Sequence, residues 1–404
     1  MNSKNTFLIV LACLFSLGSC QSQKKESIKA PAQTEKTKEL SIVVGANQLD
    51  KYLTLLKNKN IGIVANQTSV IFKAQGFTHL VDSLNTLNIN IKKVFAPEHG
   101  FRGKADAGEH ITNGKDAKTG IDIISIYGNN KKPSANQLLG LDLVVFDIQD
   151  VGARFYTYIS SLHYVMEACA ENNIPMLILD RPNPNGHYID GPILEPEHKS
   201  FVGMHPIPIV HGMTIGEYAQ MINGQKWLKN GVQCDLEIMS CKNYSKDKTY
   251  SLPIKPSPNL PNDVSINLYP SLCFFEGTNV SVGRGTSQQF QIFGSPYLNK
   301  TEFTFIPKPN EGAKHPKHKN SVCYGYDLSK HTNLNQLNLN WLIQTYHESA
   351  DSNVPFWTSF FTKLAGTKHL QEQIVNGVAA EDIRATWQKG LYDYNKMRQK
   401  YLLY

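Results

Sequence analysis

Leu141-Asp142-Leu143-Val144-Val145-Phe146-Asp147-Ile148-Gln149-Asp150-Val151-Gly152-Ala153-Arg154 is a short apolar run that stops at two acids and an amide, with a guanidinium just beyond. Downstream, Phe155, Tyr158, Ile159, Leu162, Val165, Met166 and Cys169 recur at helical spacing, and residues 174–179 form a second apolar run. Strand, amphipathic helix and strand in that order predict a βαβ unit of a parallel sheet. Residues 61–65, 91–96 and 121–127 are further apolar runs of strand length. The chain is therefore expected to be α/β with a parallel sheet. In such sheets ligands bind beyond the carboxyl ends of the strands. The polar residues that follow each run, Asn66-Gln67-Thr68, Pro97-Glu98-His99-Gly100, Gly128-Asn129, Asp147 to Asp150 and Asp180-Arg181-Pro182-Asn183, thus mark one candidate rim.

With 404 residues and 41% hydrophobic content the chain can bury a large core, and its length suggests two domains. Its start reads as an export signal: Lys4 supplies the positive charge, and residues 7–17 an apolar stretch too short for a stable membrane span. Leu17-Gly18-Ser19-Cys20 resembles a lipobox, which makes Cys20 the candidate lipidation site and residues 1–19 a removable leader. Residues 20–41 are polar and read as a flexible tether. The expected location is the bacterial cell envelope, lipid-anchored in the outer membrane and facing the periplasm or the surface. The net charge of +7, or +6 without Lys4, includes no basic block, so nucleic acid is not an expected partner. Cys169, Cys234, Cys241, Cys273 and Cys323 show no Cys-x-x-Cys spacing and define neither a disulfide framework nor a zinc site, though Cys234 and Cys241 are close enough in sequence to pair.

The alternation fades after Gly191, and Thr214-Ile215-Gly216-Glu217 has the form of a capping box that opens a helix. A boundary is placed here, giving a first domain over 42–211 and a smaller α+β domain over 212–404. The latter is expected to hold strands at 236–239 and 279–282 and a helical tail after Ala379. The segment 314–319, with two His among its lysines, reads as a solvated loop rather than a metal site.

Glu98 is the first catalytic candidate, because a carboxyl constrained between Pro97 and His99-Gly100-Phe101-Arg102-Gly103 at a strand end can be tuned by burial and charge. An ion pair with Arg102 is the structural alternative. Asp106 and Glu109 are either further site carboxylates or part of a solvated loop. Of Asp147 and Asp150, one is expected to cap the following helix and at most one to act on substrate. Arg154 would bind a carboxylate or pair with Asp180. Asn66, His99, Gln149, Asp180, Arg181 and Asn183 are hydrogen-bonding candidates along the rim, and in the second half Glu276 and Arg284 flank aromatic residues suited to sugar faces. There is no Gly-x-Ser-x-Gly elbow, His-Glu-x-x-His helix, phosphate loop or complete dinucleotide fingerprint. The remaining inventory suits glycoside hydrolysis, and no cofactor or metal is called for.

Gly62-Ile63-Val64-Ala65-Asn66-Gln67-Thr68, Phe95-Ala96-Pro97-Glu98-His99-Gly100-Phe101-Arg102-Gly103, Asp147-Ile148-Gln149-Asp150-Val151-Gly152, Asp180-Arg181-Pro182-Asn183-Pro184, Glu276-Gly277-Thr278-Asn279 and Gly283-Arg284-Gly285-Thr286 together resemble the NamZ-type exo-β-N-acetylmuramidases. The likeness runs from about Ile42 to the C-terminus. It implies a Rossmann-like first domain, a cleft between two domains, and release of terminal N-acetylmuramic acid from the non-reducing end of peptidoglycan fragments, with Glu98 as the leading catalytic residue. The expected mechanism makes Glu98 the general acid, with Asp147 or Glu276 orienting water or the 2-acetamido group. Arg102, Arg154 and Arg284 are the candidates for the lactyl carboxylate. A non-catalytic glycan-binding lipoprotein and an envelope amidase or esterase are the rival readings.

Overall fold

The computed structural model describes residues 40–103, 109, 113–349 and 353–404. The leader, Cys20, nearly all of the tether and Asp106 lie outside the described residues. Along the chain come β1 (Ile61–Ala65), a small hairpin of β2 (Val70–Phe72) and β3 (Phe77–His79), β4 (Ile91–Ala96), β5 (Gly114–Lys115), β6 (Asp122–Ser125), β7 (Leu143–Asp147), β8 (Met176–Leu179) and β9 (Leu236–Met239). Seven of these form one sheet in the order β5-β6-β4-β1-β7-β8-β9, parallel throughout except for the edge strand β5.

Strand alternation sorts the apolar side chains to two faces. Ile63, Val94, Val145 and Leu177 face a core shared with α1 (Leu49–Leu56) and α2 (Leu80–Thr86). Val64, Phe95, Val144, Phe146 and Ile178 face the other core, which a short α3 (Ala135–Leu138) also joins. There they meet Leu162, Val165, Met166 and Cys169 of α4 (Tyr158–Glu171) and Ile215, Ala219 and Ile222 of α5 (Ile215–Gly224). β1 and β7 are buried along their whole length, as a strand covered on both faces must be. Each such side chain stabilises the fold by about 2 kcal/mol, so the sheet is a fixed platform for the loops at its carboxyl edge.

The strand at Leu236–Met239, expected in the smaller domain, instead pairs with β8 and completes the large sheet. Its apolar residues serve a parallel sheet as well as any other, and nothing local reveals the partner. Thr214 and Glu217 do form the capping box of α5. Beyond it lie α6 (Asp263–Leu272), a 3-10 turn (Cys273–Gly277), β10 (Ile292–Ser295), β11 (Thr304–Phe305) and β12 (Cys323–Asp327). These three strands make a small antiparallel sheet ordered β10-β12-β11. Residues 279–282 form no strand and contribute a single bridge, Ser281 to Gly294. The tail after Ala379 is helical as expected, in α10 (Ala380–Ala385) and α11 (Gln388–Arg398), whereas α7 (Asn340–Glu348), α8 (Phe361–Ala365) and α9 (His369–Val375), which precede it, were not anticipated. The five cysteines from Cys169 to Cys323 are buried free thiols. Among the described residues no helix is long and apolar enough to cross a membrane.

Candidate active site

β4 ends at Ala96, and the chain turns sharply through Pro97 to Gly103. His99 and Gly100 both take positive φ, +68° and +76°, and the Gly100 N–H donates to the Pro97 carbonyl at 3.0 Å. Glycine adopts this conformation freely, whereas a histidine there costs on the order of 1 kcal/mol and persists only where the surroundings enforce it. The turn lifts Glu98 over the carboxyl edge of the sheet. Its two oxygens are held separately: the Tyr127 hydroxyl donates to Oε1 at 2.9 Å and the Thr157 hydroxyl to Oε2 at 2.7 Å. Tyr127 follows β6, and Thr157 precedes α4 in the connection from β7. Three carboxyl-edge loops thus converge on one carboxyl.

The facing wall comes from the second half. α6 runs into the 3-10 turn that carries Glu276, and Arg284 Nε donates to Glu276 Oε1 at 2.5 Å. Below this pair the Lys317 ammonium donates to the carbonyls of Phe275, Thr278 and Val280, using all three of its N–H bonds. Burial pushes Lys317 down to about 8, although Glu276 pulls the other way. Between the walls is a cavity of about 440 Å³ lined by Glu98, His99, Glu276 and Arg284 together with the aromatics Tyr127, Tyr156, Phe201 and Tyr269. Carboxyls, a guanidinium and aromatic faces within one concave site are the groups a sugar-cleaving site needs.

Only part of the expected rim reaches this cavity. Glu98, His99, Glu276 and Arg284 line it; Asn66, Arg102, Asp147, Gln149, Arg154, Asp180, Arg181 and Asn183 do not. Arg102 leaves Glu98 alone and pairs with Asp82 at 3.1 Å and Asp116 at 2.8 Å. Asp147 is fully buried in a two-pronged pair with Arg181, at 2.6 and 2.9 Å. Asp150 does not cap α4: its Oδ2 accepts from the Gly152 N–H at 2.6 Å, and the Thr157 side chain makes no cap either. Arg154 is wholly buried and does not pair with Asp180. It donates to the carbonyls of Pro192, Ile207, Leu364 and Ala365, and burial pushes it down to about 9.

Asp180 accepts from the backbone N–H groups of Arg181 and Gly216 and from the hydroxyls of Thr214 and Tyr404, with burial raising its carboxyl to about 6. Asn66 accepts from both the N–H and the hydroxyl of Thr68. Gln149 donates to the Asp150 and Pro182 carbonyls, and Asn183 to that of Met213. These side chains tie loops together beneath the site. Glu109 pairs with Lys314 at 2.5 Å. Sequence reasoning missed Tyr127 and Thr157, absorbed into a strand and a helix start, and the segment at 314–319, read as solvated. His315, Pro316 and Lys317 of that segment line the cavity.

Two family models cover the chain: "Exo-beta-N-acetylmuramidase NamZ, N-terminal" matches residues 61–264 and "Exo-beta-N-acetylmuramidase NamZ, C-terminal" residues 267–404. The peptidoglycan beta-N-acetylmuramidase NamZ of Bacillus subtilis strain 168 is 38% identical over 386 residues, spanning 88% of this chain and 89% of its own. Two crystal structures of DUF1343 family proteins from Bacteroides fragilis superpose with TM-scores of 0.83 and 0.75, at 44% and 27% identity. Each match covers 90% of this chain and 99% of the other.

Proposed function

Because the chain belongs to the NamZ family of exo-β-N-acetylmuramidases, and is thus a glycoside hydrolase, we propose that it releases β-linked N-acetylmuramic acid from the non-reducing end of peptidoglycan fragments. The rival readings, a non-catalytic glycan binder and an amidase or esterase, find no support among these relatives. The reading rests above all on Glu98, a carboxyl aimed into a cavity and gripped at both oxygens by hydroxyls from two other loops. Glu98 donates its proton to the glycosidic oxygen as the bond from that oxygen to C1 breaks. Water then supplies the hydroxyl that ends on C1 and the proton that restores the acid. Glu276, across the cavity, orients the water or the 2-acetamido group, and substrate assistance by that group removes the need for a second free carboxylate.

Of the three arginines weighed for the lactyl carboxylate, Arg284 is the one in the cavity. Its Nε is engaged by Glu276, and its two terminal nitrogens make no hydrogen bond among the described residues. A planar pair of donors matches a carboxylate. Glu98→Gln should fold normally and lose a factor of roughly 100 or more in turnover of the disaccharide, with binding little changed. Near-native turnover would make Glu98 structural. We also propose export and lipid attachment at Cys20, supported by Leu17-Gly18-Ser19-Cys20. Cys20→Ser should then move the protein from the membrane to the soluble envelope fraction with activity intact, and continued membrane retention would contradict the anchor.

A further inference from the structure

Lys317 lines the cavity beside Glu276 and Arg284, yet its ammonium has no N–H left for a substrate. All three are taken up by carbonyls of one short segment: Phe275, which precedes Glu276, and Thr278 and Val280, which lead from it toward Arg284. The next residue extends the pattern, since His318 Nε2 lies 2.5 Å from the Asn279 carbonyl. Four carbonyls between 275 and 280 thus end on two consecutive side chains. Backbone bonds hold other points of the segment: the Asn279 N–H donates to the Phe356 carbonyl at 2.8 Å and the Thr358 N–H to the Gly277 carbonyl at 2.9 Å. The oxygens of Phe275, Thr278 and Val280, however, all lie within 3.1 Å of the one Lys317 nitrogen. Carbonyl oxygens that converge in this way repel one another unless a cation sits among them.

We propose that Lys317 is a positioning residue, whose ammonium holds the turn that aims Glu276 and Arg284 into the cavity. The inference rests on the muramidase reading above. Glu276 sits in the clamped segment and Arg284 is bonded to it, so a shift of the turn moves both groups. An ammonium holds three carbonyls, whereas a neutral amine holds two and turns its lone pair on the third. Burial pushes Lys317 down to about 8, with Glu276 opposing and Arg284 assisting, which places that change just above neutral pH. The other charged or titratable groups around the cavity are Glu98 on the facing wall and His315 on the same segment as Lys317. Burial raises Tyr269 and Cys273, next to Glu276, and lowers His318 from its ordinary 6.5. These three therefore keep their charge state between pH 7 and pH 9.

The test follows kcat/KM against pH on an aryl β-N-acetylmuramide whose leaving group is a stable anion, so that the proton on Glu98 matters little. In the parent protein the value should fall about tenfold from pH 7 to pH 9, as the charged fraction of Lys317 does. Lys317→Arg and Lys317→Gln still donate N–H bonds but do not titrate in this range, so their profiles should be flat there. Lys317→Arg, which also keeps the charge, should stay within about threefold of the parent at pH 7. Lys317→Met, which donates nothing, should lose about tenfold at pH 7 and show no alkaline fall. Thermal melting at pH 7 separates a misfolded variant from a misplaced site. An alkaline fall that is absent from the parent, or that persists in a folded Lys317→Arg or Lys317→Gln, would overturn the proposal. So would a Lys317→Met that keeps the parent rate. A parent that cleaves the muramide at no pH would instead overturn the muramidase reading.

Discussion

Two of the groups that hold Glu98, the Tyr127 and Thr157 hydroxyls, do not dictate its protonation state. A hydroxyl both donates and accepts, so Tyr127 and Thr157 can keep the carboxyl in place whether or not it carries the proton. A proton donor that must be restored in each cycle needs that tolerance. If proton donation is its role, the damage from Glu98→Gln depends on the leaving group. The loss should be large on the disaccharide and much smaller on an aryl glycoside whose leaving group is a stable anion, because little protonation is needed there. An equal loss on both substrates would point to positioning instead. Glu98, Glu276 and Arg284 stood out in the sequence by type and setting, and they line one cavity. Asp147, Arg154 and Asp180 had the same type and setting, yet proved to be internal ties. The difference lies in their partners: Arg154 reaches Ala365, 211 residues away, and Asp180 reaches Tyr404, 224 residues away. No local pattern carries that information.

Among the elements, long apolar runs were readable and short or remote pairings were not. β1, β4, β7 and β8 are expected from runs of buried residues, whereas the three-residue strands β2 and β3 leave no period to detect. The hairpin they form leads into α2 through His79, which carries a testable titration. His79 Nδ1 accepts from the Val81 N–H at 3.2 Å, capping α2, while Nε2 lies 2.9 Å from the Asn66 carbonyl. Accepting at Nδ1 and donating at Nε2 requires the neutral ring. Burial pushes the imidazole down from its ordinary 6.5 to about 4, in spite of the Asn66 carbonyl, with Arg102, Asp82 and Asp116 nearby. A folded-state pKa below the unfolded one means that the stability is fully present above pH 6.5 and is lost as pH falls toward 4. The loss is on the order of 3 kcal/mol. Thermal denaturation across that window should therefore show a shallower acid slope in His79→Asn, which keeps a capping acceptor that does not titrate. His163, also pushed to about 4 by burial, leaves part of the slope in place. An unchanged slope would show that the cap does not sense pH.

At the scale of the whole molecule, the parallel sheet provides one wall of the site and the elements after α6 the other. Glu98 and Glu276, 178 positions apart in the sequence, consequently face a common cavity. Arg154 reinforces this assembly, since its four carbonyl bonds join the segment at Pro192 to Leu364, itself a cavity residue. The α/β class and the candidate carboxyl could be read without the structure. Which polar residues share the cavity could not, because that depends on how the second half closes over the sheet. With Arg284 receiving the lactyl carboxylate, as proposed above, the cavity selects a sugar bearing a carboxylate and cuts it from a chain end. The most direct test is the rate ratio for a β-N-acetylmuramide against the matching β-N-acetylglucosaminide, with the products of a longer glycan followed in time. An Arg284 fork left without its anion should cost the glucosaminide a factor of roughly 100 or more, and free N-acetylmuramic acid should be the first product from the glycan. Equal rates on the two sugars, or internal oligomers as early products, would contradict the account.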